Sequence, residues 1–109
     1  MKTFFMRNEN HEVFGEPVQY TPIIFICGDV AHRLALHRIA SDAPNKYRPW
    51  VISHPILGAK ICRVTDYYKG CPVSSAGLSI KDARNAAMFN LDQLCARIGS
   101  TKFNEVVQC

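Results

Sequence analysis

The order of apolar and polar residues in the first half of the chain predicts one strand and one helix. Ile23–Cys27 is an unbroken run of mainly β-branched and aromatic residues, which is typical of a strand covered on both faces. Asp29 follows it and is a favourable helix cap, because its carboxylate accepts the free N–H groups of a first turn. We therefore predict a helix from Asp29 to about Ser41, ended by Pro44.

The middle of the chain predicts further strands. Tyr47–His54 and Ala59–Tyr67 have the apolar and β-branched content of strands. The segment between them, His54–Gly58, contains the Pro and Gly expected of a hairpin connection, so the two strands should pair antiparallel. Cys71–Ser75 predicts a third short strand, and Thr3–Met6 predicts a strand near the N-terminus.

A second and longer helix is predicted near the C-terminus. Ser79 is its expected cap, with Asp82 completing a weak capping box, and Gly99 is its expected end. At about 100° per residue, most of its apolar side chains form one broad stripe: Ile80, Ala83, Ala87, Met88, Leu91, Leu94, Cys95 and Ile98. Phe89 lies nearly opposite the centre of that stripe. Either the N-terminal segment or the C-terminal tail covers it, or it anchors a protein partner.

Together these elements predict an α+β fold, with an antiparallel sheet of four or five strands and two helices packed on one face. The 109 residues leave room for one hydrophobic core, which argues against a two-domain enzyme. We expect a single domain over residues 1–109. It would comprise an N-terminal strand segment over 1–28, a helix, three strands and a helix over 29–98, and a tail over 99–109.

Composition and cysteine usage predict a folded cytoplasmic protein. Hydrophobic residues make up 48% of the chain and charged residues 20%, as in ordinary soluble domains. The five cysteines include no C-x-x-C pair, which favours reduced thiols over a disulfide framework or a zinc site. His32 and His37 would point about 140° apart on the predicted helix, so they cannot share a metal. We expect no cofactor and no metal. We also expect no membrane partner, since no apolar run approaches the ~18 residues of a membrane-spanning helix.

Positive charge is concentrated in the middle of the chain. The sequence has 13 Lys and Arg against 9 Asp and Glu, and residues 30–64 hold six of these bases against Asp42 alone. Such a local excess attracts phosphates or an acidic protein surface. The alternative is a solvated basic surface without a ligand.

The start of the C-terminal helix gives this charge a more specific interpretation. Gly77–Ala87 reads Gly-Leu-Ser-Ile-Lys-Asp-Ala-Arg-Asn-Ala-Ala and resembles the start of the last helix in double-stranded RNA-binding domains. The predicted order of helix, three strands and helix, from about Asp29 to Ile98, also matches that family. The first 28 residues have no counterpart in it.

The resemblance implies which residues would contact RNA. Lys81 and Arg84 would bind phosphates, with Ser79 as the cap, and His54 falls in the loop that enters the minor groove in that family. Ile80 departs from the family, which prefers a base there. The implied function is a non-enzymatic module that binds structured RNA or a nucleoprotein, with an affinity that falls as salt is added. Its predicted contact residues are Arg33, Arg38, His54, Lys60, Lys81 and Arg84.

A second resemblance leads to a different function. Asp66–Cys71 and Gly77–Ala83 are similar to HicB-type antitoxins, in which an acid, a Gly-Cys pair and a Gly-x-Ser/Thr-x-x-acid-Ala run join the sheet to the helix. The Gly-Cys to Gly interval is longer here than is usual in that family, whose members inhibit a partner RNase. The alternative function is therefore a protein-binding inhibitor, an antitoxin or a phage antagonist of a host nuclease or defence complex, with Phe89 as its anchor.

One pattern resembles an enzyme. Cys27 and Arg33 form a C-x5-R sequence at the end of the predicted strand, similar to the phosphate loop of low-molecular-weight phosphatases. In that loop a thiolate attacks phosphorus while backbone N–H groups and the Arg bind the phosphate. Asp29 would place a negative charge inside the loop, and no Asp-Pro acid follows. A phosphatase is therefore the third interpretation, and we expect no enzymatic activity.

Overall fold

The chain folds into antiparallel strands followed by two consecutive helices. A computed structural model describes residues 2–7, 10, 12–13, 15–39 and 43–108, except for the side chains of Asn45 and Gln108. The elements in chain order are β1 (Thr3–Phe4), β2 (Val18–Gln19), β3 (Thr21–Cys27), β4 (Val30–Arg38), β5 (Trp50–Ser53), β6 (Lys60–Arg63), β7 (Thr65–Tyr68), β8 (Cys71–Ser74), α1 (Ile80–Ile98) and α2 (Ser100–Gln108).

The predicted α+β class is confirmed, and the arrangement of its elements differs from the prediction. One antiparallel sheet has the strand order β3-β4-β5-β6, and the pairs β1–β2 and β7–β8 form separate two-stranded sheets. The strands of the described residues are thus divided among several sheets. The described residues form two α-helices, the number predicted, but both follow the strands along the chain.

The helix predicted from Asp29 is wrong, because residues 30–38 form strand β4. Gly28 and Asp29 instead make a two-residue turn that joins β3 to β4, with Cys27 paired to Val30. Gly28 has a φ of 61°, the conformation that hairpin turns of this length require at their first central position. The predicted end of the helix at Ser41 lies outside the described residues.

Strand β3 is covered on one face only, so the prediction of two covered faces is also wrong. Phe25 and its alternate neighbours face the helices, whereas Ile24 and Ile26 are exposed on the other face. The N-terminal segment crosses behind β4 and β5, where Phe4 packs on His37 with ring centroids 5.1 Å apart. It therefore leaves the far side of β3 uncovered.

The predicted β5–β6 hairpin is confirmed, with antiparallel pairing between the two strands. Its strands are shorter than predicted. Tyr47 belongs to a 3-10 turn before β5, and the strand predicted over residues 59–67 divides into β6 and β7 around Val64, which is buried. The predicted third strand is present as β8, which pairs with β7.

Helix α1 begins and ends where the sequence predicts. The Ser79 hydroxyl accepts a hydrogen bond from the Asp82 N–H at 3.2 Å, and Gly99 ends the helix with a φ of 87°. The C-terminal tail, for which no element was predicted, forms helix α2. It buries Phe103 and Val107 against the sheet.

One hydrophobic core lies between the four-stranded sheet and both helices. It includes Trp50 and Ile52 from β5 together with residues of β3, β4, α1 and α2. From the predicted helix stripe, Ala83, Ala87 and Leu91 are fully buried. Neither helix in the described part of the chain has the length and apolar character needed to cross a membrane.

The prediction that the cysteines are reduced is wrong for one pair. Cys27 at the end of β3 and Cys95 near the end of α1 form a disulfide, although 68 positions separate them in sequence. The packing of α1 on β3 brings them together, and sequence spacing gives no indication of that contact. Cys62 and Cys71 are free thiols. Burial raises the pKa of the Cys62 thiol, which the positive charges of Arg97 and Lys60 partly oppose. Cys109 lies outside the described residues.

Candidate functional site

The C-x5-R segment does not form a phosphate loop in this fold. Cys27 is bonded to Cys95 and faces the helices, where it belongs to the core. Arg33 lies on β4 opposite Ile24, so its side chain points to the other face of the sheet. The geometry therefore keeps the two groups of this motif apart.

The Arg38 side chain makes hydrogen bonds and a cation–π contact within the fold. One of its guanidinium nitrogens, Nη1, donates to the carbonyl oxygens of Arg48 at 2.9 Å and Ala76 at 2.8 Å. The guanidinium also lies over the Trp50 ring, 4.4 Å from its centroid. These contacts fasten the segment before α1 to the sheet. Burial, followed by the positive charge of Arg48, lowers the pKa of Arg38.

The structure divides the other five predicted contact residues among three places. Arg33 is exposed on the open face of the sheet. Lys81 and Arg84 are exposed on the first turns of α1, and neither has an ion-pair partner among the described residues. His54 and Lys60 line a cavity near the other end of α1, beside Leu94 and Ile98. At 1.5 Å per residue, Arg84 and Leu94 are about 15 Å apart along the helix axis.

His54 shapes the β5–β6 turn. Its Nδ1 accepts hydrogen bonds from the N–H groups of Ile56 at 3.2 Å and Leu57 at 3.1 Å. An unprotonated Nδ1 places the proton of the neutral ring on Nε2. Burial, with a smaller contribution from the positive charge of His32, lowers the pKa of His54 and favours this neutral form.

A buried histidine–serine pair lies on the far side of the sheet. His37 donates from Nδ1 to the carbonyl oxygen of Arg38 at 2.9 Å, so its Nε2 accepts from the Ser53 hydroxyl at 2.7 Å. The pKa of His37 is lowered by burial and by the charge of Arg48, against the opposing effect of its backbone bond.

This pair has the contacts of a base and a nucleophile, but substrate cannot reach it. His37 is 2% exposed and Ser53 is fully buried, beneath Phe4 and Met6 of the N-terminal segment. A buried histidine with both ring nitrogens hydrogen-bonded is a structural feature of the core.

A cluster of exposed apolar side chains lies on the β7–β8 hairpin and the neighbouring face of α1. We call the hairpin together with Phe89 the aromatic arm. Tyr67 and Phe89 share one face of it, whereas the register pairs Val73 with Asp66 and so places Val73 and Tyr68 on the opposite face. Tyr67 and Phe89 stack edge to face with their centroids 6.0 Å apart, and they are 45% and 50% exposed. Tyr68 is 66% exposed and Val73 40% exposed. Within the described residues, neither the N-terminal segment nor the C-terminal tail covers Phe89, which stays half exposed.

Two features hold the aromatic arm in place. Asn90 of α1 accepts from the Thr65 N–H at 3.1 Å and donates to the Thr65 carbonyl oxygen at 2.9 Å, which fixes the start of β7. Lys69 and Gly70 both have positive φ, which is the conformation that a tight turn between twisted strands requires. The arm is therefore a defined hairpin anchored to a helix.

The α1 side chains nearest to Phe89 around the helix are neutral or acidic. At about 100° per residue, Asp82 and Gln93 lie within about 40° of Phe89 around α1. Lys81 lies about 80° and Arg84 about 140° away in the opposite direction. The predicted phosphate contacts therefore occupy a different flank of the helix. One base accompanies the aromatic residues, Lys69, whose ammonium lies 5.4 Å from the Tyr68 ring centroid.

Sequence reasoning selected Phe89 and missed the rest of the aromatic arm. The available signal was the Tyr67–Tyr68 pair directly before Lys69–Gly70, two aromatic residues beside a turn sequence. A strand ending in adjacent tyrosines must point one of them to each face. Because a two-stranded hairpin has little cover of its own, at least one of them is then exposed.

A cavity of about 290 Å³ lies between the β5–β6 turn, the end of α1 and α2. Its walls are mostly apolar, and its lining residues are His54, Leu57, Ala59, Lys60, Ile61, Leu94, Ile98, Phe103, Val106 and Val107. Two of the predicted contact residues, His54 and Lys60, therefore meet at a recess and not on a flat surface.

The described residues contain no group of three or more His, Cys, Asp or Glu side chains placed to hold a metal ion. Comparison of the chain with protein-family models, with curated proteins and with solved structures found no match. Function is therefore inferred from the geometry of the aromatic arm and the divided basic residues.

Proposed function

We propose that this protein is a non-enzymatic protein-binding module and that the aromatic arm is its contact surface. The observation that carries the proposal is the half-exposed, edge-to-face pair of Tyr67 and Phe89. Aromatic side chains are enriched at the centres of protein interfaces, where burial in a partner's pocket contributes most of the binding energy. Both rings already hold a fixed orientation, so a partner loses little binding energy in ordering them.

The distribution of charge supports a protein partner for this surface. Binding to a polyanion depends mainly on the number of bases that reach phosphates, and the aromatic arm carries Lys69 alone among its own residues. Asp82 lies on the same side of α1 as Phe89, about 10 Å away along the axis, and would repel a phosphate backbone that runs along this side. A protein partner has no such requirement, since the centre of a protein interface is depleted of charge.

The kind of partner follows from where the aromatic arm lies in the sequence. Tyr67 and Tyr68 of the arm fall within Asp66–Cys71, one of the two segments that carry the similarity to HicB-type antitoxins, and Phe89 follows the other segment, Gly77–Ala83, by six residues. Members of that family inhibit a partner RNase. We therefore propose that the partner is a nuclease or another protein of a nucleic-acid-handling complex, which this protein inhibits by docking.

The test is capture of a partner on the immobilised protein from a nuclease-treated bacterial lysate. Tyr67→Ser combined with Phe89→Ser removes both rings from exposed positions and should weaken capture by at least about tenfold. Lys81→Glu combined with Arg84→Glu is the matched control on the other flank of α1 and should leave capture unchanged. Loss of the partner on nuclease treatment, or equal capture by the serine variant, contradicts the proposal.

A second candidate function, binding of structured RNA, is favoured by a separate observation. Lys81 and Arg84 are exposed, without an ion-pair partner among the described residues, on the first turns of a helix capped by Ser79. A helix N-terminus with two free bases attracts phosphate. The same two variants distinguish the functions: a gel shift on duplex RNA at low salt should vanish in the Lys81→Glu, Arg84→Glu variant and persist in the serine variant.

A further inference from the structure

Strand β3 lies at an edge of the four-stranded sheet, apart from the aromatic arm. Among the described residues, its only strand neighbour is β4. Its seven residues, Thr21–Cys27, carry no charge, whereas natural edge strands often carry charged side chains that discourage pairing with another chain. Ile24 and Ile26 are 57% and 65% exposed on the face away from the helices. Strand β3 therefore has an apolar, uncharged edge that a further strand can join.

The register of the β3–β4 hairpin fixes which backbone groups of β3 point away from β4. Cys27 and Val30 close a two-residue turn, so they form a hydrogen-bonded pair, and such pairs alternate with non-hydrogen-bonded pairs along an antiparallel ladder. Ile24 and Ile26 fall in non-hydrogen-bonded pairs, so their N–H and C=O groups point to the open edge. Pro22 falls in the same alternation, where its lack of an N–H removes no bond to β4. Within the described part of the chain, the outward groups of Ile24 and Ile26 have no hydrogen-bond partner.

We propose that β3 pairs antiparallel with β3 of a second copy of this chain, about a two-fold axis at Phe25. In this register, Ile24 of each copy lies opposite Ile26 of the other copy, and the two residues exchange their backbone N–H···O=C bonds. The two pairs supply four hydrogen bonds and join the two sheets into one of eight strands. Because both copies use the same surface, the contact closes as a dimer.

The side chains of β3 favour this register. The two isoleucine pairs lie side by side on the open face, where cross-strand pairs of β-branched residues stabilise a sheet. Pro22 lies opposite Gly28 of the other copy, beyond the four hydrogen bonds, so its missing N–H is not needed. An axis at Ile24 would instead place Pro22 opposite Ile26 and would leave the carbonyl oxygen of that isoleucine without a donor.

The charge on β4 also permits a second copy at this edge. Ala31 lies beside Ile26, and Arg33 lies beside Ile24. In the proposed dimer, three strand spacings of about 4.8 Å each separate the Arg33 residues of the two copies, so these like charges do not meet. The edge is therefore complementary to itself.

The size of the contact predicts a weak dimer. An edge about 23 Å long and about 10 Å thick covers roughly 230 Å² on each copy, well below the ~800 Å² per partner of a stable complex. Sedimentation equilibrium of the full chain from about 10 μM to about 1 mM should therefore show a monomer–dimer equilibrium. Ile24→Lys places a charge beside Ile26 of the other copy and should weaken dimerisation at least about tenfold. Val73→Lys is the matched control and should dimerise like the wild type, because Val73 is an exposed β-branched residue of β8 in a separate sheet.

Amide hydrogen exchange of the wild type, followed by NMR, tests the backbone pairing without any substitution. The N–H groups of Ile23 and Phe25 point to β4 and should be protected at every concentration. The N–H groups of Ile24 and Ile26 should exchange at least about fivefold more slowly at about 1 mM than at about 50 μM, because only the dimer provides acceptors for them.

Several outcomes would overturn the proposal. The protein could remain a monomer at about 1 mM, Ile24→Lys could dimerise like the wild type, or the amides of Ile24 and Ile26 could exchange at the same rate at all concentrations. Loss of dimerisation in Val73→Lys would also overturn it, because the contact would then lie on β8. The Tyr67→Ser, Phe89→Ser variant should dimerise like the wild type, which keeps this test separate from partner capture. A monomeric serine variant would place the contact on the aromatic arm and contradict the assignment to β3.

Discussion

The helix-covered face of the four-stranded sheet and the aromatic arm differ in the exposure of their aromatic residues. Phe25 and Phe103 stack edge to face at 5.3 Å inside the core, and both are almost fully buried. Tyr67 and Phe89 form the same kind of contact at 6.0 Å on the surface. Aromatic stacking thus contributes to the core in one region and stays half exposed in the other, and this difference is the basis of our proposal that the arm binds a partner.

The largest expected effect is on the free energy of unfolding, and it should differ between the two aromatic pairs. Phe103→Ala should lower the free energy of unfolding by about 3–5 kcal/mol, because it leaves a cavity in a fully buried site. Phe89→Ala is the matched surface change and should cost less than about 1 kcal/mol. Urea denaturation of both variants measures the difference. Similar losses in the two variants would show that the arm is part of the core after all.

The disulfide gives the next largest effect. Reduction of the Cys27–Cys95 bond should lower the free energy of unfolding by about 2–4 kcal/mol, because the unfolded chain regains the freedom of a long loop. Urea denaturation with and without dithiothreitol measures this change, and mass spectrometry of peptides from the unreduced protein checks the pairing. A Cys71→Ser variant should respond to dithiothreitol like the wild type, since Cys71 is a free and exposed thiol. An unchanged transition midpoint in the wild type would contradict the prediction.

Local signals in the sequence correctly predicted the β5–β6 hairpin and the ends of helix α1. Ser79 and Gly99 mark the ends of α1 by their own side-chain and backbone chemistry, so no distant contact is needed to place them. The hairpin around His54–Gly58 is marked in the same way by its Pro and Gly. Features of this kind depend on a few neighbouring residues, which a single sequence displays completely.

The first helix prediction failed because local preference and tertiary pairing disagree over residues 30–38. This segment is rich in Ala, Leu and Arg, which favour helices, yet Gly28–Asp29 also has the form of a two-residue hairpin turn. Pairing with β3 and β5 decides the outcome in favour of a strand. His32 then lies on the helix-facing side and hydrogen-bonds Asn104 at 2.7 Å, a contact across 72 positions that no local pattern contains.

The candidate site was only partly accessible to sequence reasoning for the same reason. Phe89 could be selected because helical spacing alone places it opposite the apolar stripe. The separation of Arg33 from Lys81 and Arg84 depends on which face of the sheet each element occupies. The hydrogen bonds that Arg38 donates to the carbonyl oxygens of Arg48 and Ala76 likewise depend on the tertiary fold.

A smaller effect is the pH dependence of the free energy of unfolding, to which the buried His37 contributes. Burial lowers the pKa of His37 below its ordinary value of 6.5, so below that pH the unfolded chain takes up a proton that the folded chain resists. Stability should be fully present above pH 6.5 and should fall as the pH drops towards the folded-state pKa. Urea denaturation between pH 7.5 and 5 measures this slope. His37→Gln should make the slope shallower, with a remainder from His54, whose pKa is lowered in the same direction.

The smallest expected effect on stability comes from the tip of the aromatic arm. Tyr68 is 66% exposed, so Tyr68→Ser removes little buried surface and should change the free energy of unfolding by no more than about 0.5 kcal/mol. We expect the partner to enclose the tip of the hairpin on both faces, so capture should nevertheless fall by about tenfold, although Tyr68 lies on the face opposite Tyr67 and Phe89. Ile56→Ser is a matched control, since Ile56 is exposed on a different turn, and it should alter neither quantity. A large loss of stability without loss of capture would reverse the roles that we assign to the two regions, because the exposed tyrosine would then support the fold and not the interface.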